Sequence, residues 1–340
     1  MYILLLINFL FNTWLKPTAG SAAAENQLQT IAFGSCNDVR RVQPLWRPIL
    51  QNDPDLWIWL GDNIYGDTDD MRLLREKYQK QKQQVYYQEL LKQVPVIGIW
   101  DDHDYGRNDA GKEFAYKQES KELLLEFLDV PADAPVRKHE GAYQSYTYGT
   151  GNKKIKVILL DGRYFRDPIN LKFGKIKFKN KKGDMLGEAQ WQWLEEQLTN
   201  SDAAIHVIGS GVQVIPNQNQ YEKWANFPEA RNRLFNLIEK TDPSGVIFIS
   251  GDMHLAELSL IKLPDYPYPI YELTSSGLTH HRSESSSNNP FRVSKQVAAL
   301  NFGLLKFNWQ PKAVEVEMEV RGTGNKLLME HKTTFPLKEL

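Results

Sequence analysis

Six short apolar runs of this chain end in residues of the kinds that bind metals or anions. The runs read TIAFGSC, DLWIWLGD, VPVIGIWDDHD, IKVILLDGR, AIHVIGSGVQ and VIFISGDMH. Apolar runs of this length, bounded by turn residues, predict buried strands. Because the polar residues that follow strands in α/β folds collect beyond the carboxyl ends of those strands, we expect them to meet at one rim and form a single polar site.

Helical patterns separate the predicted strands, roughly over residues 71–93, 113–128, 188–198 and 228–239. Alternating strands and helices predict α/β sheets covered by helices. The runs IYELTSSG, LNFGLLKFNW and AVEVEMEVRG alternate apolar and polar residues, which is typical of half-exposed antiparallel strands. Because no linker or shift in composition separates these parts, residues 26–340 are predicted to form a single domain.

Residues 1–24 differ from the rest of the chain and are predicted to form a secretory signal peptide or an N-terminal anchor. The run MYILLLINFLF is apolar, and small residues follow it up to Ala24, as at a cleavage site. No basic residue precedes the run, which leaves an uncleaved anchor open. The run is short for a membrane span. We therefore expect a secreted, periplasmic or cell-surface protein with no transmembrane segment in the mature chain.

The overall charge excludes a global electrostatic attraction to nucleic acid. The chain has 41 basic and 42 acidic side chains, so no specific nucleic-acid partner is predicted, and we expect a monomer. Residues 171–184 carry six lysines, which indicates a solvated hairpin or a surface that steers an anionic substrate.

Several motifs suggest a metal centre. The run IWDDHDYGRNDAG holds aspartates that repel one another unless a cation compensates. Asp62 and Tyr65 lie three residues apart in GDNIYGD, and Asp252 and His254 lie two apart, on one face of an extended segment. A hard trivalent cation such as ferric iron would remove the proton of the Tyr65 phenol. Cys36, the single cysteine, follows the first strand; the alternative is a buried small apolar residue.

Taken in order, FGSC, LGDNIYGD, IWDDHD, LLDGRYFRD, GEAQWQWLEEQL and ISGDMHLAE resemble the PhoD-like alkaline phosphatases, a branch of the calcineurin-like metallophosphatases. The resemblance covers about residues 31–258. It implies a four-layer α-β-β-α sandwich of two mixed sheets. It also implies hydrolysis of phosphoric monoesters or diesters at a dinuclear or larger metal centre.

The resemblance also implies a ligand set. Asp62 would bridge the metals, and Cys36, Tyr65 and His254 would bind Fe³⁺. The second cation, Ca²⁺, would be held by Asp102 and Asp252. Gln213 would be a further ligand, since it follows a strand where relatives of the wider superfamily have a histidine. Thiolate, phenolate and imidazole suit a transition metal and carboxylates suit Ca²⁺, with Zn²⁺, Mn²⁺ or Mg²⁺ as alternatives.

The expected reaction is attack on phosphorus by a hydroxide that bridges the metals. His103 would be the general acid that protonates the leaving oxygen, with Asp104 orienting it. Arg163 and Arg166 would bind the phosphate oxygens.

Weaker candidates remain at the same rim. Arg107 and Asn108 are second choices for phosphate binding, and His280 could approach the site from the other half of the sandwich.

Two other functions stay open. The first is a phosphodiesterase acting on polyanions or phospholipids, which the lysine-rich segment would favour. The second is a secreted binding module stabilised by calcium, although such a site would not use cysteine, tyrosine and histidine.

Overall fold

The computed structural model describes residues 26–172, 175–283 and 289–338, so the predicted signal segment lies outside it. The helices of the described part are α1 (Trp46–Leu50), α2 (Met71–Lys82), α3 (Val85–Gln93), α4 (Asp102–Tyr105), α5 (Lys117–Phe127), α6 (Gly187–Leu198) and α7 (Pro228–Thr241). Its strands are β1 (Thr30–Gly34), β2 (Leu56–Leu60), β3 (Val96–Ile99), β4 (Gln144–Tyr148), β5 (Ile155–Leu160), β6 (Asn170–Lys172), β7 (Lys175–Phe178), β8 (Ile205–Ser210), β9 (Val246–Ser250), β10 (Ala256–Ile261), β11 (Ile270–Ser275), β12 (Phe302–Trp309), β13 (Ala313–Arg321) and β14 (Leu327–Pro336).

Two six-stranded mixed sheets form the centre of the fold. The first has the order β14-β13-β12-β1-β2-β3, and the second has the order β10-β11-β9-β8-β5-β4. In the first sheet β1, β2 and β3 are parallel. In the second sheet β5, β8, β9 and β11 are parallel. The polar residues that were predicted to lie at one rim follow the carboxyl ends of these parallel strands.

The sheets pack face to face with helices outside them. Trp57 and Trp59 of β2 contact Trp46 of α1, with ring centroids 5.3 Å apart in both pairs. Leu60 of β2 points the other way, where a Cβ at Gly209 of β8 would lie 3.0 Å from its Cδ2. Helices α6 and α7 share a second apolar cluster with the outer face of the second sheet. This arrangement confirms the expected α-β-β-α sandwich.

The central strands are buried on both faces, which explains their continuous apolar sequences. Along β5, Val157 and Leu159 lie in the cluster between the sheets. Ile158 and Leu160 lie in the cluster beneath α6 and α7. Because successive side chains of a strand point to opposite faces, each residue of such a strand must be apolar.

Two glycines allow the strand ends to approach one another. Gly61 has φ +86°, and a Cβ there would lie 2.3 Å from the Cβ of Asp101. A Cβ at Gly251 would lie 2.6 Å from the carbonyl oxygen of Leu60. Because Leu60 ends β2 and Gly251 follows β9, this second contact joins the rims of the two sheets.

The structure differs from the sequence prediction in three respects. The helix expected over residues 71–93 is two helices, α2 and α3, which break at residues 83–84. The run IYELTSSG forms β11, which is antiparallel to β10 but parallel to β9. The strands β4 and β14, outside the predicted runs, lie at sheet edges.

The lysine-rich segment contains the antiparallel hairpin of β6 and β7. Residues 173 and 174 lie outside the described residues, so the proposed electrostatic steering stays a prediction. None of the helices in the described ranges is long and apolar enough to cross a lipid bilayer.

Candidate metal centre

Residues after β1, β2 and β9 meet at the joint rim of the two sheets. One donor atom each from Cys36, Asp62 and His254 lies within 4.8 Å of the others. The Sγ of Cys36 donates a hydrogen bond to Oδ2 of Asp62 at 3.3 Å. Since these residues come from both sheets, the packing of the sandwich assembles the group.

Tyr65 completes this group from the turn after β2. Its hydroxyl lies 3.3 Å from Oδ2 of Asp62 and 3.0 Å from Nε2 of His254. It also lies 3.0 Å from Nε2 of His280, so His280 contacts this group. Burial and the neighbouring Cys36 raise the pKa of Tyr65. The phenol therefore ionises only when a cation binds it.

Burial also shifts the pKa of the thiol and of one imidazole in this group. Burial and the Asp62 carboxylate raise the pKa of Cys36 well above its usual value. Burial and the nearby His280 lower the pKa of His254 to about 3, so the imidazole stays neutral. A neutral imidazole is the form that binds a metal.

Carboxylates surround the other side of Asp62. Donor atoms of Asp62, Asp102 and His103 lie within 4.8 Å of one another, as do those of Asp102, Asp109 and Glu222. Burial opposes ionisation of Asp102, but Arg163, His103 and main-chain donors outweigh it and lower its pKa to about 2. A carboxylate held ionised among other carboxylates is suited to a cation.

Asp252 lies near the same carboxylates. Burial and the charge of Asp102 raise its pKa to about 7. Its Oδ2 and the Oδ1 of Asp62 are buried and accept no hydrogen bond from the described residues. Buried unpaired carboxylate oxygens are costly without a cation.

The donor set therefore fits two kinds of metal. Sulfur, phenol oxygen and imidazole nitrogen surround one side of Asp62 and suit a transition metal. Carboxylates surround the other side and suit a hard divalent cation.

The backbone at the centre is strained. The φ angles of Cys36, Asp62, Asp252 and His254 are 61°, 49°, 68° and 56°. Left-handed backbone is uncommon for non-glycine residues and collects at functional sites, where the surrounding packing enforces it.

His103 lies beside these carboxylates, and its side chain is 18 % exposed. Its Nδ1 is 2.6 Å from Oδ1 of Asp67. Burial disfavours the imidazolium, but Asp62 and the hydrogen bond to Asp67 outweigh it and raise the pKa to about 11. Both carboxylates therefore favour the protonated form of His103.

Asp104 does not orient His103, contrary to the expectation. Its carboxylate accepts hydrogen bonds from the main-chain N–H groups of Asp62, Asn63 and Asp101. Since a carboxylate at the third position of a short helix points back at its N-terminus, Asp104 caps α4 and Asp67 contacts the imidazole instead.

The two arginines expected to bind phosphate are buried in ion pairs. Nε of Arg163 donates to Asp101 at 2.7 Å, and its Nη1 donates to Glu222 at 2.6 Å. Nε of Arg166 lies 2.9 Å from Glu222. Both side chains are at most 1 % exposed. Their guanidinium groups balance buried carboxylates and are not available to a substrate.

Gln213 has other partners as well. Its Nε2 donates to Glu257 at 2.9 Å and to Thr274 at 3.0 Å. Its Oε1 accepts a hydrogen bond from Asn219 at 3.0 Å. Both ends of the amide are engaged, so the structure does not bring it into the metal-binding groups. Of the weaker candidates, Arg107 pairs with Asp69.

Sequence reasoning missed four residues of the centre. Asp67 ends the motif GDNIYGD and Asp109 is the last aspartate of the acidic run, so both could have been predicted from these motifs. Glu222 and Ser276 carry no motif signal. Ser276 follows β11 and contacts the Sγ of Cys36 at 3.0 Å while accepting a hydrogen bond from the main chain of His254 at 2.8 Å.

Known proteins resemble this chain in sequence and in fold. Alkaline phosphatase D of Bacillus subtilis (strain 168) is 23% identical over 273 residues, which are 66% of this chain and 46% of the relative. The chain thus spans about half the length of this curated relative. A solved structure of PhoD, 18% identical, matches with a TM-score of 0.72 over 93% of this chain and 70% of that chain.

A purple acid phosphatase, PPD1 from seeds of yellow lupin (Lupinus luteus), shares the fold at 13% identity. Its TM-score is 0.62 over 92% of this chain and 55% of that chain. These likenesses confirm the metallophosphatase fold. The sequence model of the PhoD-like phosphatases matches residues 31–327. The chain belongs to the PhoD-like phosphatase family.

Proposed function

We propose that this protein is a metal-dependent phosphoric ester hydrolase of the alkaline phosphatase D type. The observation that carries the proposal is the convergence of Cys36, Asp62 and His254 from both sheets within 4.8 Å. Tyr65, whose hydroxyl contacts Asp62 and His254, belongs to the same group.

The residues divide between two kinds of cation. Cys36, Tyr65 and His254 would hold a transition metal, for which Fe³⁺ is our first choice, and Asp62 would bridge to the second cation. The carboxylates on the far side of Asp62 would hold Ca²⁺ or a similar hard cation; they are Asp102 and Asp252, supported by Asp109. When bound, the metals supply positive charge for the phosphoryl oxygens and lower the pKa of a water molecule that attacks phosphorus.

His103 is the proposed proton donor to the leaving oxygen. Asp67 accepts a hydrogen bond from Nδ1, which leaves Nε2 as the nitrogen with a transferable proton. A general acid must be protonated when the substrate binds. The charge of Asp62 and the contact with Asp67 maintain that state.

The test is metal analysis of the purified protein combined with assays on p-nitrophenyl phosphate and bis(p-nitrophenyl) phosphate. We expect a transition metal and a hard cation, ester hydrolysis that a chelator abolishes, and, for iron, a visible tyrosinate-to-metal absorption band that Tyr65→Phe removes. Faster turnover of the bis ester would favour the phosphodiesterase. Metal-loaded protein that hydrolyses neither ester would contradict the proposal and favour a binding module.

Export of the protein is a separate proposal that rests on residues 1–24 alone. N-terminal sequencing of protein recovered outside the cytoplasm tests it. A mature chain that begins close to Ala24 would support cleavage, whereas an intact N-terminus on membrane-associated protein would support the anchor.

A further inference from the structure

Arg282 is an arginine beside the metal centre that the mechanism above does not use. It follows β11, and its main-chain N–H donates to the carbonyl oxygen of His254 at 2.8 Å. The arginine is therefore anchored through its main chain to one proposed metal ligand.

The guanidinium group of Arg282 is held by an aromatic ring and not by a carboxylate. Its Cζ lies 4.0 Å from the ring centroid of Tyr221. Its Nη1 is shielded from solvent and donates no hydrogen bond within the described residues. A planar guanidinium stacked on an aromatic ring keeps its edge N–H groups free to bind a planar or tetrahedral anion.

Other arginines near the rim are already paired. Arg40 and Arg41 pair with Asp38. The buried Arg163 pairs with Asp101. A substrate phosphate would have to displace a carboxylate from each of them, whereas Arg282 has no carboxylate within ion-pair distance among the described residues.

Tyr221, which stacks on this arginine, belongs to the segment that carries a carboxylate of the candidate centre. Tyr221 precedes Glu222, whose carboxylate lies with those of Asp102 and Asp109. Arg282 is therefore attached to the His254 side through its main chain and to the Glu222 side through the ring of Tyr221. These two attachments connect Arg282 to the segments that carry both groups of proposed metal ligands.

We propose that Arg282 binds a non-bridging phosphoryl oxygen of the substrate and that Tyr221 is the positioning residue that fixes the plane of its guanidinium. The proposal rests on the proposed function and assigns the substrate-binding role that Arg163 and Arg166 do not fill. The guanidinium would donate through Nη1, in addition to the positive charge of the metals, as the phosphoryl group gains negative charge.

The experiment measures binding of inorganic phosphate to the metal-loaded protein by calorimetry, together with kcat and KM for p-nitrophenyl phosphate. We expect Arg282→Gln to weaken phosphate binding about 10- to 100-fold, the loss typical of a charge-assisted hydrogen bond, with metal content unchanged. Arg282→Lys retains the charge but not the fork of donors, so a smaller loss is expected. Tyr221→Leu should weaken binding several-fold and Tyr221→Phe should not.

Arg47→Gln is the matched control. The Cζ of Arg47 lies 4.2 Å from the ring centroid of Tyr86, in the same kind of stack, on the outer helices α1 and α3. Phosphate binding by this variant should stay within twofold of the wild type. Addition of guanidinium ion should restore part of the phosphate affinity of Arg282→Ala, which a purely structural role of the side chain would not allow.

The outcomes separate this inference from the proposed function. Wild-type protein that binds phosphate but hydrolyses no ester would contradict the proposed function. The role of Arg282 would then be decided by comparing the phosphate affinity of the wild type with that of Arg282→Gln. A loss of fivefold or more in Arg282→Gln supports the inference. A smaller loss overturns it, and if Arg282→Gln fails to fold, the same threshold applies to Arg282→Ala with and without guanidinium.

Discussion

The neighbours of His103 suit the proton-donor role proposed for it. Its imidazole contacts Asp67 and lies beside the carboxylates of Asp62 and Asp102. We expect His103→Asn to lower kcat about 100-fold or more while the metals are retained, because general acids contribute on that scale. Steady-state assays with metal analysis of the same samples provide the measurement.

The matched control is His139→Asn. His139 stacks on Tyr143 outside the centre, so its replacement should leave kcat within twofold of the wild type. A kcat of His103→Asn within threefold of the wild type would remove His103 from the mechanism.

His206 is a buried histidine outside the candidate metal centre, and we expect it to affect stability. On β8, its Nδ1 donates to the carbonyl oxygen of Ser244 at 2.6 Å, and its Nε2 lies 2.8 Å from Oγ of Ser201. Burial lowers its pKa to about 4, below the value of about 6.5 in the unfolded chain. Between these values the unfolded state binds more protons than the folded state, so stability falls as the pH falls from about 6.5 to 4.

We therefore expect the His206 contribution to the free energy of unfolding to decrease by about 2 kcal/mol between pH 7 and pH 5. His206→Asn should show a correspondingly smaller decrease, and the exposed His281→Asn should behave like the wild type. Urea unfolding at both pH values measures the difference. Equal pH dependence in the wild type and His206→Asn would show that the histidine does not titrate in this range.

At the scale of elements, an aromatic cluster fastens α1 and α3 to β2. The ring of Trp46 lies 5.3 Å from those of Trp57 and Trp59 and 4.9 Å from that of Tyr87, measured between centroids. Trp46 is 2 % exposed. We expect Trp46→Ala to lower the free energy of unfolding by about 3–5 kcal/mol, the usual cost of truncating a buried aromatic residue.

Tyr86→Ala on α3 provides the control for this cluster. Its ring is 37 % exposed, so the expected loss is below about 1 kcal/mol. Urea unfolding of the metal-loaded variants gives both values. Similar losses in the two variants would mean that the buried cluster does not hold α1 against the sheet.

The elements themselves were partly predictable. The strands buried on both faces and the helices α6 and α7 have clear patterns, because their residues meet the core directly. The strands β4 and β14 escaped prediction since they lie at sheet edges, where a mixture of polar and apolar residues is tolerated. The sequence did not show whether β11 would pair with its neighbours in parallel or antiparallel fashion. An alternating strand can form hydrogen bonds with neighbours of either orientation.

At the scale of the whole molecule, folding forces like charges together. Asp62 is 1 % exposed, and its carboxylate shares a group with that of Asp102. In metal-free protein at pH 8 we expect Asp62→Asn to be more stable than the wild type by about 1 kcal/mol or more, because burial and the repulsion of Asp102, Asp104 and Asp252 outweigh the attraction of His103 for the Asp62 carboxylate. With metals restored the order should reverse, since the bridging carboxylate is lost.

Asp242→Asn is the control for the backbone. Asp242 is exposed and also has a left-handed conformation, with φ 44° against 49° for Asp62. Its replacement measures how much the free energy of unfolding changes when asparagine replaces aspartate in a left-handed conformation. Urea unfolding with and without chelator gives the four comparisons, and a metal-free Asp62→Asn no more stable than the wild type would contradict the predicted repulsion.

The sequence by itself determined which residue types lie beyond which strands. Cys36, Asp62, Tyr65, Asp252 and His254 could be assigned to one centre because each follows an apolar strand closely, and parallel strands place such residues at one rim. Local spacing is enough to place each residue at the end of its strand, whereas the packing of the two sheets brings those strand ends together.

Only the tertiary structure decided which charged groups pair across the rim. Arg163 and Arg166 follow a strand as closely as the metal ligands do, yet they balance Asp101 and Glu222 in the interior. Asp67 contacts His103 from a separate turn. Ion pairs depend on distances between segments far apart in the chain, and these distances are set by how the two sheets and their loops pack.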